Sequence, residues 1–267
     1  MSRIAYLGDK YTHTYAAAQM FASDKDVTAG YHTIYAAINS VSECESDYAV
    51  APVENSCGGS IADTLDALWA LPLYIRGETV LPVPQHLIGL KGARRDGIRT
   101  VYSHPQALSQ CASYLRTYFA DADVIATAST ADALCQLKDF SEAAIARAPA
   151  EGQEIIDAEI EDVKNNSTRF LLLGREPLAA DQGGKCSVVF ETQNRPGALM
   201  NALSLFSEHR LNMTRIESRP HKSKLGRYVF FVDFERGNDC SLSLVLGELS
   251  QRTTAMKFLG SYPYIKK

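Results

Sequence analysis

The chain has 267 residues, a formal net charge of −4 at pH 7 and 46% hydrophobic residues. This length and composition allow a substantial core and suit one large domain with one small one, or two of medium size. No apolar run approaches the ~18 residues of a membrane-spanning helix. The mild acidity, with no basic stripe interleaved with aromatic residues, argues against a nucleic-acid surface, so an anionic ligand would have to be bound by local donors.

The N-terminus and the cysteines together predict a cytoplasmic protein. The chain starts at once as a strand, without the basic region and apolar core of a signal peptide. The six cysteines are scattered, with no Cys-x-x-Cys pair, at Cys44, Cys57, Cys111, Cys135, Cys186 and Cys240. We therefore interpret them as reduced thiols and predict no metal site.

The N-terminal three-quarters of the chain alternate short apolar runs with helical patterns. Strands are predicted over residues 4–7, 48–53, 73–81, 85–90, 100–102, 124–127 and 143–146. Helices are predicted over residues 14–21, 34–41, 61–68, about 105–119 and 130–137. This rhythm of strand, turn and helix predicts parallel or mixed sheets with helices on their faces, an α/β fold.

Polar donors recur in the turns that follow predicted strands, where α/β folds bind ligands. They lie at residues 12–14, 54–60, 103–106 and 129–130. Each turn is also explained by simple helix capping, for which Ser103 and Thr130 are candidates. The adjacent glycines before Ser60 additionally let backbone N–H groups cradle an anion at a helix start.

The stretch at residues 166–174 joins a polar cluster to a continuous apolar run that ends at a glycine. The apolar run predicts a buried strand, and the polar residues then lie at the start of this strand, where they can bind a small ligand. Asn166, Thr168 and Arg169 bring a carboxamide, a hydroxyl and a guanidinium to this point. The alternative is a turn followed by an ordinary strand start.

A second unit is predicted after residues 175–185, whose proline, paired glycines and charges indicate a linker. Strands are predicted over residues 186–192, 213–220, 227–235 and 256–262, and helices over 197–209 and 242–251. This order, β-α-β-β-α-β, is ferredoxin-like. With no catalytic cluster, the unit is typical of a ligand-sensing or dimerising module.

Five motifs carry a family resemblance: PVENSCGGS at 52–60, SHPQALSQC at 103–111, NSTRF at 166–170, PGAL at 196–199 and ESRP at 217–220. In this order they resemble prephenate dehydratase with a C-terminal ACT regulatory domain, over essentially the whole chain. The resemblance implies two α/β subdomains flanking a cleft, like a type II periplasmic binding protein, at residues 1–178. A linker at 179–185 and a ferredoxin-like ACT domain at 186–267 are expected to follow.

The resemblance implies an enzyme of phenylalanine biosynthesis that converts prephenate to phenylpyruvate. The ring carboxylate leaves as CO2 while the C4 hydroxyl departs, and aromatisation drives the reaction, so we expect no cofactor and no metal. The family places help for the leaving hydroxyl on Thr168. A threonine hydroxyl is a very weak acid, so we expect a hydrogen-bond donor to the departing oxygen, which contributes about 3 kcal/mol when preorganised.

The resemblance also carries polar pocket groups over to this chain. The predicted substrate-binding residues are Thr12, Asn55, Ser56, Ser60, Ser103, Gln110 and Arg169. Arg169 could bind a substrate carboxylate bidentately, but in a regular strand it would point opposite to Thr168 and be structural.

For the C-terminal unit the resemblance implies feedback regulation by phenylalanine, bound between the ACT domains of two subunits. The predicted phenylalanine-binding residues are Gly197, Ala198, Leu199, Glu217, Ser218, Arg219 and Pro220. The helix start at Gly197 permits close backbone approach and favours a carboxylate. A homodimer or homotetramer formed through ACT domains is therefore expected.

Three residues depart from the family pattern. Its N-terminal motif, Gly-x-x-Gly-Thr-Phe-Ser, here has Tyr11 for the second glycine and His13 for the aromatic residue, and Arg147 stands where relatives commonly have serine. Arg147 either adds a cation for a substrate carboxylate or faces solvent. The departures leave open an arogenate dehydratase or a non-aromatising prephenate decarboxylase, although Thr168 argues against the latter. A non-catalytic amino-acid-sensing protein is the alternative of a different class.

Overall fold

The structure of the protein is a computed structural model that describes residues 1–179, 184–221, 226–236 and 241–266. Cys240, part of the predicted linker and part of the segment between the predicted strands 213–220 and 227–235 lie outside the described residues. In chain order the strands are β1 (Arg3–Leu7), β2 (Val27–Tyr31), β3 (Tyr48–Asn55), β4 (Gly59–Ser60), β5 (Tyr74–Pro82), β6 (His86–Leu90), β7 (Thr100–Ser103), β8 (Asp123–Ala126), β9 (Glu142–Ala146), β10 (Gln153–Asp157), β11 (Ser167–Gly174), β12 (Lys185–Glu191), β13 (Met213–Pro220), β14 (Tyr228–Glu235) and β15 (Ala255–Tyr262). The helices are α1 (His13–Phe21), α2 (Ile34–Ser42), α3 (Ala62–Ala70), α4 (Pro105–Gln110), α5 (Ala112–Tyr118), α6 (Thr130–Gln136), α7 (Ala198–Glu208) and α8 (Leu242–Arg252).

The first sheet has the order β2-β1-β3-β11-β5, with the short β4 paired to β3. Strands β1, β2 and β3 are parallel, whereas β11 runs antiparallel to both of its neighbours. Successive residues of β11 enter different cores, because Phe170 packs with α1 while Leu171 packs with α2 and α3. Helix α1 therefore covers one face of this sheet, and α2 and α3 cover the other.

The second sheet has the order β10-β6-β9-β7-β8, in which β7 is parallel to β8 and β9 while β6 is antiparallel to β9 and β10. Apolar residues of this sheet pack against α4 and α5 on one face and against α6 on the other. This arrangement makes it a second α/β unit beside the first.

Two chain crossovers join these units. The chain leaves the first sheet after Pro82 and returns to it at Ser167. The crossovers are tied together, because the backbone N–H of Val83 donates to the Asn166 carbonyl (2.8 Å) and that of Ile160 donates to the Gln85 carbonyl (2.8 Å). The cleft between the two units lies at these crossovers.

The third sheet is antiparallel, with the order β13-β14-β12-β15 and helices α7 and α8 on one face. Its other face joins the core of the first sheet, since Val189, Phe231 and Leu259 pack in the same apolar cluster as Leu171. The approach is close at Gly260, where an added Cβ would lie 2.5 Å from the carbonyl oxygen of a β5 residue. The C-terminal unit is therefore docked directly on the first sheet.

The architecture confirms the predicted α/β fold with a ferredoxin-like C-terminal unit, and it corrects details. Strands β2 and β10 were not predicted from the sequence, because both are edge strands with little burial and so lack a strong apolar pattern. The helix predicted over 105–119 is two helices that meet at Cys111. Among the described helices, none has the length and apolarity that crossing a membrane requires.

Candidate active site

Thr168 and Asn55 lie opposite each other in the register of β11 and β3, and both side chains are buried. Asn55 Nδ2 donates hydrogen bonds to Thr168 Oγ1 (2.9 Å) and to Asn166 Oδ1 (2.8 Å). Asn55 Oδ1 accepts from the backbone N–H groups of Cys57 (3.0 Å) and Gly58 (2.7 Å), which fixes the amide orientation. Because the Thr168 oxygen acts as an acceptor, its own proton is free, and no described residue accepts it.

Asn166 belongs to this cluster, although the sequence analysis left it out of the substrate-binding set. Its Oδ1 also accepts from Ser56 Oγ (3.2 Å), and Ser56 Oγ in turn accepts from the Ser167 backbone N–H (3.0 Å). Its Nδ2 is buried and has no acceptor among the described residues. Leaving a buried donor unpaired costs about 1–3 kcal/mol, so this group is available to an acceptor on a ligand. The feature of the sequence that could have identified Asn166 is its position two residues before Thr168.

A cavity of about 230 Å³ lies between the turn after β3, helix α4 and the returning crossover. It is lined by Cys57, Ser109, Gln110, Glu161, Asp162, Val163 and Asn166. Gln110, a predicted substrate-binding residue, is held there by Gln85, whose Nε2 donates to Gln110 Oε1 at 3.2 Å. Gln85 was missed, because a single polar residue in an extended segment carries no recognisable signal.

The wall of this cavity is acidic. Glu161 is buried and accepts a hydrogen bond from the backbone N–H of Gln85 (2.8 Å), with Lys164 Nζ 4.0 Å from its other oxygen. Asp162 accepts from the backbone N–H of Ser113 (3.0 Å). A dianionic ligand would be repelled by these carboxylates, so it needs a cation from elsewhere in the cleft.

Two predicted substrate-binding residues are used by the fold instead. Ser103 is fully buried, and its hydroxyl donates to the Ile145 carbonyl (2.6 Å), joining β7 to β9. Thr12 caps α1, because its hydroxyl accepts from the Tyr15 N–H (3.1 Å) and donates to the Asp9 carbonyl (2.8 Å). In this structure the two hydroxyls therefore serve the fold, and their contact with substrate remains a prediction.

Ser60 does not face the cleft but lies at the contact between the first α/β unit and the third sheet. Its hydroxyl donates to Glu217 Oε2 (2.8 Å) and accepts from Arg215 Nη2 (2.6 Å), both on β13. Arg215 Nε lies 3.4 Å from a carboxylate oxygen of Glu54. The prediction of Ser60 as a substrate-binding residue is corrected accordingly, because the side chain of this last residue of β4 faces the C-terminal unit.

Arg169 points away from Thr168, and all of its guanidinium nitrogens are engaged on the far face of the sheet. Nε donates to Glu78 (2.6 Å), Nη1 to Asp233 (2.6 Å) and Nη2 to the Tyr262 hydroxyl (3.0 Å). Burial alone would lower the pKa of this guanidinium, but Asp233, Tyr262 and Glu78 outweigh burial and raise it. Arg169 is therefore structural, and the expectation that it binds a substrate carboxylate is corrected.

The three departures from the family pattern have different environments. Tyr11 is 42% exposed. His13, at the start of α1, and Arg147, directly after β9, are partly buried and lie on the two α/β units that flank the cleft. Burial, and after it the positive charge of Arg147, lowers the pKa of His13.

The two C-terminal motifs lie at the same end of the third sheet. Gly197 precedes α7 in the left-handed region (φ +77°), and no atom lies within 4 Å of where its Cβ would be. Arg219 pairs with Val229, which pairs with Glu191, so the end of β13 is separated by one strand, β14, from the end of β12, which leads to Gly197. Of the other predicted residues in these motifs, Ala198 is buried, Leu199 packs in the core of the third sheet, and Ser218 and Pro220 are exposed.

A second cavity, of about 170 Å³, lies between α3 and the third sheet. Its lining is mainly apolar and comprises Asp66, Trp69, Ala70, Arg219, Pro220, His221, Val229 and Phe231. Arg219 Nη2 pairs with Asp66 at 3.2 Å, so the predicted effector motif contacts the first α/β unit directly. Within the described parts of the chain, no group of three or more His, Cys, Asp or Glu side chains is arranged to hold a metal ion.

Family models and related sequences match most of the chain. Residues 4–178 match the family model of prephenate dehydratase, and residues 187–239 match that of the ACT domain. The chain is 38% identical over 267 residues to the bifunctional chorismate mutase/prephenate dehydratase of Neisseria gonorrhoeae, covering 97% of this chain and 74% of that protein. It is 36% identical over 271 residues to the prephenate dehydratase of Methanocaldococcus jannaschii, covering 97% of each.

Solved structures resemble the whole chain as well. Prephenate dehydratase in complex with L-Phe from Arthrobacter aurescens matches with a TM-score of 0.87 and 30% identity, covering 98% of this chain and 90% of that chain. GqqA, described as a novel type of quorum quenching acylase, matches with a TM-score of 0.85 and 28% identity, covering 98% of both chains.

Proposed function

The chain belongs to the prephenate dehydratase family, and we propose that it converts prephenate to phenylpyruvate by decarboxylating dehydration under phenylalanine control. The observation that carries this function is the hydrogen bond from Asn55 Nδ2 to Thr168 Oγ1 (2.9 Å). It turns the threonine oxygen into an acceptor and leaves the threonine proton for a ligand. A preorganised donor facing the cleft is what the departing hydroxyl of prephenate requires.

The reaction needs one proton and no redox partner. The bond between the ring and its carboxylate breaks, its electron pair enters the ring, CO2 leaves, and the C4–O bond breaks. The departing hydroxide takes a proton from solvent and leaves as water, while the side-chain carboxylate stays in the product. The Thr168 hydroxyl stabilises the negative charge that develops on this oxygen by hydrogen bonding, which contributes about 3 kcal/mol to lowering the barrier.

The neighbours of Thr168 support its role as a donor and not as a nucleophile. An acylase-type attack requires a general base within hydrogen-bonding distance of the hydroxyl. Among the described residues, only the Asn55 amide hydrogen-bonds to the Thr168 hydroxyl, and its NH2 group does so as a donor, so it cannot act as a base for the hydroxyl proton. The contacts therefore favour the dehydratase over the acylase chemistry described for GqqA, and over a catalytically inactive sensor.

Phenylalanine is proposed as the effector, bound through the ACT domain. The helix start at Gly197 has no side-chain cap, which supports binding of the effector carboxylate at this N-terminus. Glu217 and Arg219 contact Ser60 and Asp66 of the first α/β unit, so a ligand that moves β13 would also move the strands behind Thr168. Feedback inhibition then follows if phenylalanine favours a conformation with lower affinity for prephenate.

We also propose a division of the chain into a catalytic domain at residues 1–178, a linker at 179–185 and an ACT domain at 186–267. The family matches to residues 4–178 and 187–239 support this division. A homodimer or homotetramer paired through ACT domains, and a cytoplasmic location, remain part of the proposal. No cofactor, nucleic-acid partner or membrane partner is included.

The direct test is to incubate the purified protein with prephenate and, separately, with arogenate, and to follow both products by chromatography. Phenylpyruvate formed from prephenate is the expected result. Formation of phenylalanine from arogenate alone, CO2 release with a non-aromatic product, or no turnover would each contradict the proposed activity.

A further inference from the structure

Arg147 is a cation without a counter-charge. It directly follows β9, is partly buried, and makes no hydrogen bond or ion pair with any described residue. Burial lowers the pKa of its guanidinium, and no neighbouring carboxylate opposes that effect. Every other arginine discussed above has an acidic partner. A desolvated guanidinium without one is costly for folding, which indicates that it is kept for an anionic ligand.

His13 lies on the other α/β unit that flanks the cleft, at the start of α1, within electrostatic range of Arg147. Its Nδ1 is buried and has no hydrogen-bond partner among the described residues. Burial, followed by the positive charges of Arg147 and His86, lowers the pKa of His13 to about 4, so the imidazole is neutral at pH 7. His86 is itself occupied, because its Nδ1 accepts the Glu159 backbone N–H at 3.0 Å. The cleft thus combines one unpaired guanidinium with one unpaired neutral imidazole.

The negative charge of the substrate requires a cation in the cleft. Prephenate carries two carboxylates, and the cavity beside Thr168 is lined by Glu161 and Asp162. Arg169, the cation expected from the sequence, is bound to Glu78 and Asp233 on the other face of the sheet. Arg147, in contrast, has no acidic partner among the described residues.

We propose that Arg147 and His13 form an anion subsite that binds the side-chain carboxylate of prephenate and thereby selects the keto acid over its amino-acid analogue. The proposal rests on the proposed function and names a specificity determinant within it. The guanidinium supplies the charge and two parallel donors, and the imidazole supplies one further hydrogen-bonding nitrogen.

The chemistry assigns the side-chain carboxylate, and not the ring carboxylate, to this subsite. The ring carboxylate loses its negative charge as CO2 forms, so a cation held against it would stabilise the ground state more than the transition state and slow the reaction. The side-chain carboxylate keeps its charge throughout, and binding it lowers KM without opposing the chemical step. The acidic wall at Glu161 suits the departing carboxylate, because repulsion there is relieved as CO2 leaves.

The same subsite disfavours arogenate. Arogenate carries an ammonium group beside its side-chain carboxylate, where prephenate has a neutral carbonyl. In the subsite this ammonium would meet the guanidinium of Arg147 with no carboxylate to compensate it. Selection between the two substrates then comes from like-charge repulsion against the wrong one.

The test restores the family residues, with Arg147→Ser and His13→Phe, and uses Arg116→Ser on the exposed side of α5 as the matched control. Phenylpyruvate is the probe for binding, because it keeps the side-chain carboxylate and lacks the ring carboxylate. We expect Arg147→Ser to weaken phenylpyruvate binding about 10- to 100-fold in calorimetry, and Arg116→Ser to leave it unchanged. KM for prephenate should rise by a similar factor while kcat changes little. The preference for prephenate over arogenate in kcat/KM should fall at least about 10-fold.

Arg147→Lys guards against a folding defect, because it keeps the charge and should give an intermediate loss of binding. Phenylpyruvate binding unchanged in folded Arg147→Ser would overturn the subsite while leaving the dehydratase intact. An Arg147-dependent affinity for phenylpyruvate in a protein that does not turn over prephenate would support the subsite and overturn the proposed function instead.

Discussion

The two faces of the first sheet use polar residues in opposite ways. Thr168 pairs with Asn55 in the register of β11 and β3, and the next residues along, Arg169 and Glu54, pair with each other. Because side chains alternate along a strand, the first pair faces the cleft and the second faces the ACT domain. On the cleft face the Thr168 proton has no protein acceptor, whereas on the docking face every guanidinium nitrogen of Arg169 is bonded.

This contrast separates binding from docking. A site for a ligand keeps donors unpaired, and it accepts a cost in stability that the ligand later offsets. An interface between domains must satisfy its buried charges, because an unpaired charge there destabilises the fold. The strand that carries Thr168 is thus held in place by the ACT domain, which gives the regulatory domain a direct mechanical contact with the active site.

The largest expected effect comes from removing the ion pairs of Arg169 on the face of the first sheet that contacts the ACT domain. Arg169→Met removes the partner of two buried carboxylates, Glu78 and Asp233, and should lower the free energy of unfolding by about 3–5 kcal/mol. Urea denaturation measures it. Arg215→Met is the control: it should lose less, because the carboxylate of its partner Glu54 is 41% exposed. Equal losses in both variants would show that the Arg169 network has no special role in docking.

Breaking the cleft face should instead affect the rate. Thr168→Ala removes the donor to the leaving oxygen, and kcat should fall at least about 100-fold with little change in melting temperature. Thr168→Ser, which keeps a hydroxyl, should retain much more activity. Asn55→Leu should also lower kcat, because the threonine loses the bond that orients it. Full activity in a correctly folded Thr168→Ala variant would refute the catalytic assignment.

The effector site can be tested by ligand stabilisation. Phenylalanine should raise the melting temperature by a few degrees, in a concentration-dependent way, because it binds the native state. Gly197→Val should abolish this shift, since a side chain would occupy the open helix start. Gly152→Val is the matched control for backbone strain, because Gly152 has nearly the same φ (+79°) and equally open surroundings, in the second α/β unit.

Trp69 offers a second readout of the same event. It is the only tryptophan of the chain and lines the cavity next to Arg219. A change in its emission on phenylalanine binding would indicate that the contact between β13 and α3 rearranges. An emission that stays constant while the melting temperature shifts would contradict a route of regulation through this contact.

The smallest expected effect is a pH dependence of docking. Burial lowers the pKa of Lys257 to about 8, and its ammonium donates to the Leu68 and Leu71 carbonyls at the end of α3. The unfolded chain binds more protons at this group between pH 8 and its ordinary value of 10.5, so its contribution to stability should rise with pH in that window. Lys257→Met should remove this increment from the denaturation curves. Identical pH profiles for both proteins would rule out the shift.

Several of these features were within reach of the sequence. Apolar periodicity predicted most of the strands and helices, and the order of motifs indicated the family and singled out Thr168. These signals are local, because they depend on residues a few positions apart. The alternation of a regular strand even indicated that Arg169 would oppose Thr168.

The tertiary structure decided which polar groups are used up and which remain free. Ser103 and Thr12 look like donors in the sequence, yet Ser103 joins two strands and Thr12 caps α1. Conversely, the electrostatic effect of Arg147 on His13 links residues from different α/β units, and no local pattern encodes it. Hydrogen-bond satisfaction depends on partners far along the chain, so the availability of a side chain to a ligand is a property of the folded molecule.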